Sequence, residues 1–110
     1  MIDYNDLNKW DVCLAAVKFE DELDVVKIRP VIIYDKHEAF VLSFKVTGQP
    51  PRECCKGEYI LQEWEAAGLD TVSVVRTSKR LKLEPKDFTK KLGRLRTKDI
   101  MALKVIMMGW

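Results

Sequence analysis

The chain is a succession of short apolar runs separated by polar breaks. VCLAAV, from Val12 to Val17, is apolar at every position, which predicts a strand covered on both faces. An acidic connection, FEDELDVVK, follows, and then a second strand rich in branched residues from about Ile28 to Tyr34. DKHE reads as a turn into AFVLSFKVT, where strict alternation puts Phe40, Leu42, Phe44 and Val46 on one face. Ser43, Lys45 and Thr47 fall on the other, so Thr47 ends the strand with its hydroxyl on the polar side. Gly48 and the two prolines of TGQPPRECCKG then break the pattern into a loop.

The periodicity changes in GEYILQEWEAAGL. Leu61, Trp64 and Ala67 share a side at helical spacing, with Gly68 just past the end, which predicts a compact helix. TVSVVRTS is the next strand and LKLE a further one, while Pro85 opens a short helix over KDFTKKLG that closes near Gly93. Thr97 is placed to cap a last helix carrying Ile100, Leu103, Ile106 and Met107 on one face. Short strands with brief helices between them predict a mainly β fold, a small antiparallel barrel with a C-terminal helix.

Length bounds this to a single domain over residues 1–110. With 47% hydrophobic and 33% charged residues the composition is that of a folded soluble domain. No apolar run approaches the roughly 20 residues of a membrane span. The opening MIDYNDLNKWD is not a signal peptide, so a cytoplasmic protein without membrane partners is expected. Three cysteines, Cys13, Cys54 and Cys55, make a poor disulfide framework and lack the usual spacing of a zinc site. No metal or other cofactor is therefore expected, and His37, within DKHE, reads as an exposed turn residue. Charge is uneven despite a formal net charge of +2. Within 76–98 ten basic residues face only Glu84 and Asp87, a stretch able to attract a phosphate backbone or an acidic peptide as readily as to form a solvated surface.

KIRPVIIYD is a stretch that invites a chemical reading. Pro30 fixes its own backbone and holds Arg29 in extended conformations, beside a strand anchored in the core. Around it stand, in order, W-D-V, R-P-V-I-I, a strand ending in V-T, G-E-Y-x-L-x-x-W-x-x-A-G-L, S-V-V-R and L-G-R-L-x-x-x-D. The ordered set, over about residues 10 to 107, resembles the MazF/PemK family of bacterial toxin–antitoxin pairs, and most of all its PemK branch.

The resemblance implies an SH3-like barrel of the CcdB/PemK type and a homodimer. It also implies metal-independent cleavage of single-stranded RNA to a 2′,3′-cyclic phosphate, silenced by an acidic antitoxin. On the matching positions Arg29 and Thr47 would be the functional pair and Arg76 a third catalytic residue, or else a phosphate-positioning or structural arginine. Glu58, Tyr59, Ser78, Lys79 and Arg80 would contact substrate. Tyr59 offers a ring for base stacking, although an aromatic just inside a helix serves equally as core. The branch often carries an aspartate two residues after that arginine, whereas this chain has Ser78. Proton transfer would then pass to Glu58 or to Arg29, or the chain would be a non-catalytic member of the fold. Two such members stand as alternatives: a gyrase-binding toxin of the CcdB kind, echoed by the terminal Met-Gly-Trp, and a nucleic-acid- or peptide-binding module using region 76–98.

Overall fold

Six antiparallel strands make up one sheet in the computed structural model, which describes residues 4–18, 25–37, 40–50 and 57–108, with only the backbone of Lys79. The expected acidic connection, the turn at DKHE, the loop carrying Cys54 and Cys55, and the Gly-Trp tail lie wholly or partly outside the described residues. The strands are β1 (Asp11–Lys18), β2 (Val26–Lys36), β3 (Val41–Thr47), β4 (Glu58–Ile60), β5 (Val74–Leu83) and β6 (Phe88–Arg94), followed by the helix α1 (Thr97–Met108). Their order across the sheet is β4-β5-β3-β2-β1-β6. Among the described residues no helix is long and apolar enough to cross a membrane.

Both faces of the sheet are covered, as the unbroken apolar run of β1 requires. Val12, Ile32, Phe44, Val46 and Val75 meet Trp10, Leu61 and Leu103 of α1 in one cluster. The alternate positions Cys13, Ala15, Val31, Ile33 and Val41 meet Leu7, Leu83 and Phe88 in a second. Ser43, expected on a polar face, is buried there instead, registered between Ile33 and Leu81. The second face is polar only towards the end where Lys45 and Thr47 emerge.

Two expected helices are absent. Over GEYILQEWEAAGL the chain forms β4 and then a string of turns. Ala67 donates its N–H to the carbonyl of Glu63, but Gly68 already reaches only Glu65 and Leu69 reaches back to Trp64. That is the Schellman ending on a single helical turn, with Gly68 at φ +98° as its left-handed residue and Leu69 and Trp64 both against the first cluster. Gly68 therefore keeps the ending role expected of it, without the helix. Over KDFTKKLG only Pro85–Asp87 is helical, as one 3-10 turn, and the rest is β6, bound to β1. TVSVVRTS and LKLE are a single strand, β5, whose pairing with β3 jumps from Arg80 to Arg76 across a bulge at residues 77–79.

The turn after β4 also closes the sheet on itself. A Cβ on Gly68 would lie 2.2 Å from the carbonyl oxygen of Leu92, and one on Gly93 2.4 Å from that of Ala67. Glycine at both positions lets the turn seat directly against β6.

Candidate functional site

Pro30 decides where the sheet opens. β2 pairs with β1 along Ile32 to Val26, but its ladder with β3 begins only at Val31, opposite Lys45. A proline has no N–H to give to a ladder, and among the described residues the stretch before it pairs in the sheet with β1 only. Arg29 lies on that one-sided stretch, two residues from buried Val31 and on the same face.

The space so released is an open cavity of about 470 Å³. Its walls come from the first half of β2 (Arg29, Pro30), the last residues of β3 (Lys45, Thr47), the bend after it (Gly48, Gln49), the start of β5 (Arg76) and the segment before β5 (Asp70, Thr71, Ser73). Arg29, Thr47 and Arg76, far apart in sequence, thus share one cavity.

Each is oriented locally. The Thr47 hydroxyl accepts the backbone N–H of Gln49 at 3.2 Å, a contact that fixes its rotamer and leaves its own hydrogen to donate. Arg76 stands in a cross-strand row, registered with Lys45 on one side and Glu58 on the other. Its Nε is buried without a hydrogen bond and lies 3.8 Å from Glu58 Oε1. The Glu58 side chain is only 1% exposed, so that carboxylate underlies the guanidinium rather than facing the cavity.

Of the remaining expected contacts, the Lys79 side chain lies outside the described residues, and Tyr59, Ser78 and Arg80 lie away from the cavity. The Tyr59 hydroxyl donates to Asp99 Oδ1 at 2.7 Å, and its ring packs with the first cluster. Burial, then the Asp99 hydrogen bond, pushes that phenol well above its ordinary value of 10.0. Ser78 is exposed on the bulge, and Arg80 sits 5.7 Å over the Tyr34 ring with its Nε 3.4 Å from the Thr77 carbonyl; neither lines the cavity. Lys45, Asp70, Thr71 and Ser73 were not foreseen. Lys45 had a signal, since it lies two residues before Thr47 on the same face, whereas Asp70 had none.

Asp99, the last letter of L-G-R-L-x-x-x-D, is fully buried and accepts three hydrogen bonds, from Tyr59 Oη and from the backbone N–H groups of Gln62 (2.9 Å) and Glu63 (2.9 Å). It satisfies the donors at the start of the turn after β4, and so sets the segment that carries Asp70.

No family model matches the sequence, and no curated protein does at the level of sequence. Comparison of folds is decisive. The structure is similar to the Mycobacterium tuberculosis toxin MazF-mt6, with a TM-score of 0.70, 20% identity, and 90% of this chain and 93% of that one covered. It is also similar to an endoribonuclease in complex with its cognate antitoxin from Mycobacterial species, with a TM-score of 0.69, 11% identity, and 92% and 90% covered. This chain has the MazF fold. On the MazF fold, then, it carries a cavity at the open end of the sheet whose walls include two arginines, a lysine, an aspartate and two threonines.

Proposed function

We propose that the chain is a MazF/PemK-family toxin, an endoribonuclease that cleaves single-stranded RNA through attack of a ribose 2′-hydroxyl on the adjoining phosphate. The observation that carries this is the meeting of Arg29, Thr47 and Arg76 around one open cavity. Attack puts extra negative charge on a five-coordinate phosphorus. Guanidinium groups meet that charge with directed N–H donors and stay protonated throughout. The Thr47 hydroxyl adds a neutral donor to a non-bridging oxygen. Each pre-positioned donor of this kind is worth about 10²–10³-fold in rate. Supplying charge from side chains in this way asks for no metal ion. By the resemblance, the protein works as a cytoplasmic homodimer and a cognate antitoxin covers the cavity.

The test is incubation of purified protein with long, weakly structured RNA in EDTA, with mapping of the cut ends. Cleavage leaving 2′,3′-cyclic phosphate and 5′-hydroxyl ends, lost in Arg29→Ala, supports the reading. Intact RNA across several sequences, with the protein folded, would end it.

A further inference from the structure

The chemistry proposed above needs a group that takes the proton of the attacking hydroxyl, and Ser78 is neither a carboxylate nor part of the cavity wall. Among the described residues two carboxylates stand near the arginines. The Glu58 side chain is 1% exposed, pairs with Arg76 and does not line the cavity, so its carboxylate is not presented to a bound ribose. Asp70 is exposed and lines the same cavity as Arg29, Thr47 and Arg76.

Its placement is built rather than incidental. Asp70 follows Leu69, which is 6% exposed and whose N–H is tied to the Trp64 carbonyl. Gly68 before them is pressed against the Leu92 carbonyl. After the excursion Ser73 is again buried, and its carbonyl accepts the N–H of Leu61. A short exposed segment pinned at both ends thus presents one carboxylate to a cavity whose other charged lining residues, Arg29, Lys45 and Arg76, are all cations. On binding a phosphodiester such a charge is a cost, and chemistry gives a reason to bear it.

We infer that Asp70 is the general base of the cleavage reaction, an inference that rests on the ribonuclease reading of the cavity. The Asp70 carboxylate accepts the 2′-hydroxyl proton while O2′ forms its bond to phosphorus. The P–O5′ bond breaks, its electron pair leaves on the 5′-oxygen, and that oxygen takes a proton from water in the open cavity. Asp70 then returns its proton to solvent.

The experiment measures single-turnover cleavage of the RNA cut by the wild type, against pH, together with RNA affinity, for the wild type, Asp70→Asn, Asp70→Glu and Glu58→Gln. Removal of a positioned base costs about 10²–10⁴-fold in rate. Asp70→Asn is therefore expected to lose at least 10²-fold in rate with affinity unchanged or improved, and to lose the acid limb of the pH profile. Asp70→Glu should recover part of the rate, and Glu58→Gln should keep the shape of the pH profile. Wild-type cleavage with Asp70→Asn equally fast, or slower with an unaltered acid limb, would overturn the assignment while leaving the ribonuclease reading in place. A wild type that cuts no RNA would instead remove the reading, and the inference with it.

Discussion

Glu58 and Arg76 face each other across the β4–β5 pair, with Oε1 3.8 Å from Nε and side chains 1% and 14% exposed. The carboxylate is thus the more deeply placed partner, and the guanidinium reaches from it towards the cavity. Removing the charge of Glu58 leaves a largely buried cation with less compensation. Glu58→Gln is expected to destabilise the fold by about 3 kcal/mol, the low end for breaking a buried ion pair. In urea unfolding, Glu58→Gln combined with Arg76→Gln should lose less than the two single losses together, because neighbours in contact couple. Strict additivity would show that the two charges do not stabilise one another.

The Asp99 carboxylate is the acceptor for one phenol and two backbone N–H groups. Asp99→Ala takes the acceptor from all three donors in a part-buried setting, where each costs up to about 1–3 kcal/mol when unsatisfied. A loss of several kcal/mol in denaturant unfolding is expected, whereas Tyr59→Phe, which removes only one donor, should cost about 1 kcal/mol. Equal losses from the two substitutions would show that the backbone donors find other acceptors.

β1 and β2 were legible in the sequence as short apolar runs, and β3 by its strict alternation. Pro30 drew attention to Arg29 and Gly48 marked Thr47 as the end of its strand, while the resemblance made the two a functional pair. Arg76 was named only through the S-V-V-R match of the resemblance, not from the pattern of β5. The two misread helices fail for a physical reason. β6 has bulges, with Leu14 registered to Lys90 but Ala15 to Phe88, so its residues never alternate cleanly. In the turn after β4, Leu61, Trp64 and Ala67 do point inwards every third residue, but the segment is held by Asp99, a residue 36 or more positions away. No local pattern encodes that contact, and Asp70, which follows from it, was invisible for the same reason.

Gly68 couples the turn to β6. Alanine there would place a Cβ 2.2 Å from the Leu92 carbonyl oxygen on a backbone at φ +98°. The left-handed conformation alone costs an L-residue about 1–2 kcal/mol, and the clash adds to it. Gly68→Ala should therefore lower the thermal midpoint by about 10 °C, taking roughly 4–8 °C per kcal/mol for a domain near this size. A midpoint within about 2 °C of wild type would mean that the turn and β6 separate at little cost, against the contact described.

Cys13 gives a prediction whose sign follows from burial. It is fully buried in the second cluster, and desolvation, reinforced by nearby Asp11, pushes its thiol from 9.0 up to about 12. Between those values the unfolded chain has given up this proton while the native state still holds it. The native state then binds more protons, so stability falls as pH rises from about 9 towards 12, by at most about 1.4 kcal/mol per pH unit from this group. Below pH 9 both states keep the proton and the contribution is fully present. Cys13→Ala should unfold at lower denaturant throughout, from the lost packing, but show a shallower decline over that alkaline window. In the native wild type at pH 8, iodoacetamide should leave Cys13 unmodified in peptide mass spectra, and label it once the chain is unfolded in urea. Native labelling of Cys13 as fast as in urea would show that β1 opens to solvent, contradicting its place between two covered faces of the sheet.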